Sequence, residues 1–184
     1  MKTDIFIRTY EQQVDNIRRG FALATIGRWS LEPVNIHLIE ASEFGITAGR
    51  AMAEQRAESD PYIYTDDDVV IVGKDWVERG REIMLRNPQY AILSTLSLVE
   101  TENAARPSTS YEIYPMHWVG APMWIRKGIL VEMPEMTLGN ECGEIHKYVE
   151  ARGYREGLFH PDLKIRHNHL GHGFSSNPNL HFGY

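Results

Sequence analysis

Apolar and polar residues change their period several times along the first half of the chain. Ile5–Phe6–Ile7 is a short apolar run typical of a buried strand, and residues 34–38 alternate apolar and polar positions as a second strand does. Between these two runs, apolar residues recur at spacings of three and four, which predicts a helix. The recurring residues are Val14, Ile17, Phe21 and Ala24.

The same alternation of strand and helix continues toward the middle of the chain. The pattern predicts a helix from Ala48 to Ala57 that ends before Asp60–Pro61, because the residue before a proline disfavours the α conformation. A third strand at residues 62–64, an apolar run at 69–72, a helix over 76–84 and a fourth strand at 91–93 follow. This order predicts an α/β fold with a mostly parallel central sheet flanked by helices.

The second half of the chain is less regular. Residues 100–110 are polar without an apolar period, which favours a loop beside a binding site. Residues 116–125 have strand character, and Ile145, Tyr148 and Val149 indicate a helix that Gly153 ends. The tail from Leu163 onward is rich in histidine and glycine. We see no internal repeat and no long linker, so we expect one domain over residues 1–184.

Composition narrows the class of protein. The 184 residues are 42% hydrophobic with a formal net charge of −6, enough for a core but without a global basic footprint for nucleic acid. The alternative is a local basic strip for nucleic acid that comprises Lys2, Arg8, Arg18, Arg19 and Arg28. Cys142 is the only cysteine, which excludes an internal disulfide. Since no apolar stretch reaches the roughly 18 residues that cross a bilayer, we expect a cytoplasmic protein without a membrane span.

Three consecutive carboxylates, Asp66, Asp67 and Asp68, follow the third predicted strand. Like charges at this spacing repel one another, and a hard divalent cation such as Mg²⁺ or Mn²⁺ offsets the repulsion. Open α/β sheets bind ligands at the carboxyl ends of their strands, where this triplet is expected. The alternative is a solvated acidic turn.

With its flanking residues, this segment resembles the strand and Asp-x-Asp motif of glycosyltransferases with the GT-A fold, particularly inverting family 2. The resemblance rests on the order of several short motifs and covers most of the chain. These motifs are residues 60–68, Arg8–Thr9–Tyr10, Glu40–Ala41–Ser42, Arg50, Gly120–Ala121 before Arg126–Lys127, and Glu141 to Tyr154 before a late histidine.

The resemblance implies a donor site in the first half of the chain, residues 1–99. It places Thr9, Tyr10 and Glu40 around a nucleobase, often uracil, although the family usually has aspartate where this chain has Glu40. Arg50 then approaches the diphosphate. Asp66 lies toward the ribose, Asp68 binds the metal, and Asp67 is assigned to the donor. Surface positions without a ligand are the alternative for Thr9, Tyr10 and Arg50.

The catalytic base departs from the family pattern. An acidic pair normally begins the helix that ends in Gly–Tyr, and here that pair is Glu141–Cys142, with cysteine at the usual base position. We therefore predict Glu141 as the base and Glu144, one turn on, as its substitute. Both residues have an alternative as acidic residues that stabilise a helix N-terminus.

The remaining predicted site residues lie in the second half, 100–184, which the resemblance assigns to the acceptor and the tail. One late histidine, His169 or His167, completes the metal site, unless both are merely hydrogen-bonded or part of the tail. A zinc site of three histidines would leave the aspartates unexplained. Trp118, Gly120 and Trp124 form the acceptor pocket, with core packing as the alternative for each tryptophan.

The predicted function is a metal-dependent, inverting glycosyltransferase that uses Mn²⁺ or Mg²⁺ and a nucleotide-sugar donor such as a UDP-sugar. Its acceptor is a hydroxyl of a glycan or of a hydroxylated base in viral DNA, and its oligomeric state is open. An inactive module that binds a nucleotide or glycan is one alternative. A sugar nucleotidyltransferase is another, although Arg8–Thr9–Tyr10 stands where those enzymes have a glycine-rich phosphate loop.

Overall fold

A computed structural model describes nine segments of the chain: residues 2–9, 29–40, 46–67, 69–72, 75–95, 113–116, 122–133, 141–159 and 164–167. The helix predicted around Val14 to Ala24, the polar loop at 100–110 and most of the histidine-rich tail lie outside these ranges. None of the helices within them is both long and apolar enough to cross a membrane.

The described segments contain nine strands and three helices. The described elements up to residue 95 follow the predicted order, whereas the strand at residues 155–159 was not predicted from the sequence. The strand material expected at 116–125 corresponds to the end of one strand and the whole of another. In chain order the elements are β1 (Thr3–Thr9), β2 (Val34–Glu40), α1 (Ile46–Arg56), β3 (Tyr62–Asp66), β4 (Val69–Val72), α2 (Trp76–Arg86), β5 (Tyr90–Thr95), β6 (Ile113–Met116), β7 (Met123–Ile125), α3 (Glu141–Ala151), β8 (Arg155–Phe159) and β9 (Lys164–His167).

Seven of the described strands form one sheet in the order β2–β1–β3–β7–β5–β8–β6. Strand β1 is parallel to both β2 and β3, and β5 is parallel to β8. Because β7 is antiparallel to both β3 and β5, the two parallel groups point the same way, and only β7 and β6 run against them. The α/β fold with a mostly parallel sheet is therefore confirmed. Strands β4 and β9 form a separate antiparallel pair.

Register brings the ends of three strands to one place. Thr9 lies opposite Glu40 in the β1–β2 pair, and Arg8 lies opposite Asp66 in the β1–β3 pair. We call the border formed by Thr9, Glu40 and Asp66 the carboxyl edge. Ligands of open α/β sheets bind at such an edge.

The sheet buries apolar side chains on both faces, as the sequence predicts. One face packs against α2 and includes Ile5, Ile63, Leu93 and Trp124, and we call it the α2 face. The other face packs against residues of α1 and α3, and we call it the α1–α3 face. Its buried residues from the sheet include Phe6, Tyr62, Tyr64, Ile92, Met123 and Ile125.

At the opposite end of β1, a buried carboxylate joins three segments. Asp4 Oδ1 accepts a hydrogen bond from Asn35 Nδ2 at 3.0 Å and lies 3.1 Å from His37 Nε2, while Oδ2 accepts from the backbone N–H groups of Glu58 and Ser59. Burial alone would raise the pKa of Asp4, but these hydrogen bonds outweigh it and lower the pKa to about 2. The stability this adds is fully present above the ordinary pKa of 3.8 and is lost as pH falls through 2.

At Gly80, helix α2 lies directly against the side chain of Trp124 in the sheet. A methyl carbon there would lie 2.1 Å from Trp124 Cε2, and the Trp124 ring is packed 3.5 Å from Trp76, centroid to centroid. We expect Gly80→Ala to lower the free energy of unfolding by about 1–3 kcal/mol because a packed ring must move. Urea denaturation measures this. Leu85→Ala on the exposed side of α2 should cost less than about 0.5 kcal/mol, and equal losses would contradict the packing argument.

Candidate functional site

An ion pair joins β1 and β3 at the carboxyl edge. Arg8 Nη2 lies 2.9 Å from Asp66 Oδ1, with the side chains 12% and 28% exposed. The pair forms because the two residues are direct neighbours in the parallel register and point to the same face of the sheet. The first carboxylate of the predicted triplet therefore has its own counter-charge within the protein.

Arg50 places a second guanidinium group on the α1–α3 face of the sheet, the face that also carries Tyr64. The residue is only 6% exposed, and its Cζ lies 5.8 Å from the ring centre of Tyr64, which precedes Asp66 by two residues on the same side of β3. Within the part of the chain that the structure describes, neither Nε nor Nη1 of Arg50 has a hydrogen-bond partner. A buried charge that does not make all of its hydrogen bonds is costly, so this guanidinium is suited to an anionic partner.

Gly49 explains how Arg50 comes so close to the sheet. A Cβ at this position would lie 2.8 Å from the Tyr64 hydroxyl and 3.6 Å from Ile39 Cγ2. The missing side chain lets α1 lie directly on β3 and β2. As a result, the residue after Gly49 is buried although it is an arginine.

The other described residues of the predicted donor site lie at the carboxyl edge itself. The Thr9 hydroxyl is buried and has no hydrogen-bond partner among the described residues, and Asp67 is buried in the turn after β3. The backbone of Glu40 lies opposite Thr9. The structure thus brings together four of the predicted residues here, with Arg50 alongside on the α1–α3 face. The four are Thr9, Glu40, Asp66 and Asp67.

The predicted metal ligands are only partly described. Asp68 and His169 lie outside the described residues, as does the side chain of His167. The backbone of His167 nevertheless pairs directly with Val69, the first residue after the triplet. No group of three Asp, Glu, His or Cys side chains able to hold a metal occurs among the described residues. Carboxylate oxygens at this edge are of the type that Mg²⁺ and Mn²⁺ prefer, so the donor chemistry fits either ion.

The structure corrects the expectation for Trp124. Its side chain is fully buried in the α2 face, packed against Trp76 and above Gly80. It therefore has no surface for an acceptor, and the packing alternative holds. The sequence pattern shows only that a tryptophan lies in a strand, whereas the burial depends on the gap that Gly80 leaves. Trp118, Gly120 and Tyr10 lie outside the described residues.

The helix predicted to carry the base begins at Glu141, and the side chains of Glu141 and Cys142 lie outside the described part. The backbone N–H of Arg155, the first residue of β8, donates to Gln89 beside the start of β5, so α3 ends at the amino edge of the sheet. Its 11 residues span about 16 Å, which carries its N-terminus toward the carboxyl edge. Glu144 lies in the first turn and is partly buried.

Sequence reasoning missed one buried acid on the α1–α3 face. Glu156 in β8 is almost completely buried, and neither carboxylate oxygen has a hydrogen-bond partner among the described residues. His146 Nδ1 of α3 lies 3.3 Å from Glu156 Oε2 without hydrogen-bond alignment, and His146 Nε2 lies 3.8 Å from the exposed Glu150. Burial raises the pKa of Glu156 to about 8, against the lowering effect of the Arg50 charge. The available signal was strand alternation, which places Glu156 on the face opposite to the exposed Arg155.

No family model and no curated protein matches this sequence. Solved structures do match its fold, all at identities that show fold alone. A197 from STIV matches with a TM-score of 0.53 and 15% identity over 91% of this chain and 85% of that one. TarS 1-349 from S. aureus in complex with UDP-GlcNAc matches with a TM-score of 0.62 and 12% identity over 86% and 56%. UTP-bound UGPase from Acinetobacter baumannii matches with a TM-score of 0.54 and 8% identity over 91% and 88%.

The chain has a GT-A-like fold. This confirms the resemblance and the fold class predicted from the sequence. The GT-A-like domain spans little more than half the length of the TarS 1-349 structure. The fold places nucleotide ligands at the carboxyl ends of its strands, and the residues named above occupy that position in this chain.

Replacement of Glu156 by glutamine should change how stability depends on pH. Because the folded-state pKa of about 8 lies above the ordinary 4.5, the folded chain binds the proton more tightly, and wild-type stability falls as pH rises between these values. The slope is at most about 1.4 kcal/mol per pH unit. Urea denaturation at pH 5, 7 and 9 should give a flatter profile for Glu156→Gln, which becomes the more stable protein at pH 9.

The exposed Glu150→Gln on α3 is the matched control and should keep the wild-type slope. If Glu156→Gln keeps that slope as well, the carboxyl group does not titrate in this range in the folded protein.

Proposed function

We propose that this chain is a glycosyltransferase that moves a sugar from a nucleotide-sugar donor to an acceptor hydroxyl. The observation that carries the proposal is the buried Arg50 guanidinium, whose Nε and Nη1 lack hydrogen bonds within the described residues, beside the carboxyl edge of a GT-A-like sheet. A planar guanidinium binds two phosphate oxygens at once, so the diphosphate of a nucleotide sugar satisfies it.

The donor in this proposal is a UDP-sugar. Thr9, Tyr10 and Glu40 surround the base, and the buried Thr9 hydroxyl gains in the nucleotide the partner it lacks among the described residues. Asp66 accepts a hydrogen bond from the ribose, and Asp67 lies next to it at the end of β3. Solved structures with this fold include TarS bound to UDP-GlcNAc and UGPase bound to UTP, which supports a uridine nucleotide.

A divalent cation belongs to the same proposal. Asp68 would hold Mn²⁺ or Mg²⁺ together with a late histidine, His169 or His167, and the pairing of His167 with Val69 supports this approach of the tail. When bound, the cation neutralises charge on the departing nucleoside diphosphate. Arg50, which is buried, contributes to that neutralisation from the protein side.

The acceptor reacts on the side of the site that α3 faces. Glu141, or Glu144 one turn on, takes the proton from the acceptor hydroxyl as that oxygen attacks the sugar carbon and the diphosphate leaves, which inverts the configuration. Trp118 and Gly120 remain the proposed acceptor-binding residues. The acceptor itself is a glycan or a hydroxylated base in viral DNA.

The donor site is tested by nucleotide binding. Arg50→Gln should weaken the binding of UDP at least about tenfold because a charged hydrogen-bond pair is lost, while uridine, which has no phosphate, binds as to the wild type. Calorimetry with and without Mn²⁺ measures both affinities. Asp68→Ala should remove the dependence of UDP affinity on Mn²⁺. Arg86→Gln, in an exposed ion pair at the end of α2, is the control. Equal UDP affinity in Arg50→Gln would exclude Arg50 from the diphosphate site.

The chemistry is tested by product analysis with UDP-sugars. Glu141→Gln should reduce sugar transfer by roughly two orders of magnitude while donor affinity stays unchanged, since only the proton acceptor is removed. Lys147→Gln, exposed on the same helix, should keep wild-type transfer. Two other results would replace the proposal. Donor binding without any consumption indicates a binding module, and pyrophosphate release from UTP with a sugar phosphate indicates a nucleotidyltransferase.

A further inference from the structure

Arg8 occupies a position in the site that no motif assigns to a function. It is the next-to-last residue of β1, lies opposite Asp66 in the parallel register, and forms the 2.9 Å ion pair with that carboxylate. The Arg8 side chain is 12% exposed and the Asp66 side chain 28%, so Asp66 keeps the larger fraction of its surface accessible. The pair therefore leaves the Asp66 carboxylate partly exposed, with the Arg8 guanidinium bound to one of its oxygens.

The Arg8 guanidinium offsets two effects that would otherwise leave Asp66 without a fixed orientation at the end of β3. An aspartate side chain has two rotatable bonds, so a carboxylate at a strand end does not keep one orientation unless something holds it. Asp66 is also followed directly by two further aspartates, whose like charges repel it. A guanidinium fixed in the neighbouring strand restricts the rotation and offsets the repulsion, since both partners are partly shielded from water.

The contact also leaves Asp66 able to bind a ligand. The ion pair joins Arg8 Nη2 to Oδ1, and a carboxylate has a second oxygen, Oδ2, that accepts hydrogen bonds independently. Arg50 lies on the same face beside Tyr64, so the two guanidinium groups have different neighbours. One is paired with a carboxylate of the chain, whereas Nε and Nη1 of the other are buried without a hydrogen-bond partner among the described residues.

We propose that Arg8 is a positioning residue that orients the Asp66 carboxylate to accept a hydrogen bond from a ribose hydroxyl of the nucleotide donor. The inference rests on the proposed function because it requires a nucleotide at the carboxyl edge. Arg8 acts through Asp66 and contributes to the recognition of ribose rather than of phosphate.

The test compares the affinity of UDP with those of 2′-deoxy-UDP and 3′-deoxy-UDP at a fixed excess of Mn²⁺. The wild type should bind UDP about tenfold more tightly than at least one deoxy analogue, because a hydrogen bond to a charged acceptor is lost. Asp66→Asn should reduce this ratio. Arg8→Gln and Arg8→Met should reduce it toward 1 as well, since Asp66 is then free to rotate.

Rescue and coupling distinguish positioning from a purely structural effect. Arg8→Lys should restore part of the ratio because it returns a positive charge, and Arg8→Gln combined with Asp66→Asn should lose no more than Asp66→Asn alone. Arg86→Gln should keep the full ratio. Thermal unfolding of each variant shows which ones fold, and either neutral Arg8 variant that folds decides the question.

Three outcomes would overturn the inference or its basis. A wild type that binds no uridine nucleotide removes the proposed function and with it the role of Arg8. A wild type that binds UDP without any ribose preference removes the role of Asp66. If Arg8→Gln weakens UDP and both deoxy analogues equally, Arg8 contacts the phosphates, and the positioning role is wrong.

Discussion

Charge balance at the end of β3 governs the rest of the site. Three consecutive carboxylates at a strand end repel one another, and the fold offsets the first of them through the parallel register that sets Arg8 of β1 against Asp66. The same register fixes Thr9 opposite Glu40. Since these are backbone pairings, the sheet sets the positions of these residues along the carboxyl edge.

Periodicity was enough to predict the described elements up to residue 95 because each strand and helix there buries one regular set of positions, whereas the strand at residues 155–159 was not predicted. Tyr62–Ile63–Tyr64 before the aspartates and the spaced apolar residues of α2 are examples that the structure confirms. Contacts between distant segments were not predictable in this way. The burial of Trp124 depends on the space at Gly80, and the Arg8–Asp66 pair depends on which strands are neighbours. Glu156 was missed because a lone acid in a short strand usually faces water.

A GT-A-like fold limits the ligand more than it limits the reaction. Solved structures with this fold carry UDP-GlcNAc, UTP or CTP, and they include both TarS and a CMP:2-keto-3-deoxy-manno-octonic acid synthetase. What distinguishes transfer from nucleotide activation is the set of groups around the phosphate and acceptor. In the proposed site, these groups are Arg50 and Glu141, and a cysteine follows Glu141 at the start of α3.

Gly49 links backbone packing to electrostatics. With no Cβ to meet the Tyr64 hydroxyl, α1 rests directly on the sheet, and the following arginine lies below the surface. Any bulkier residue would act as a spacer that lifts the helix and moves the guanidinium into a region of higher dielectric constant, where its attraction for an anion is several times weaker. The missing side chain of Gly49 therefore influences how strongly the Arg50 guanidinium attracts an anion, although Gly49 itself does not contact that charge.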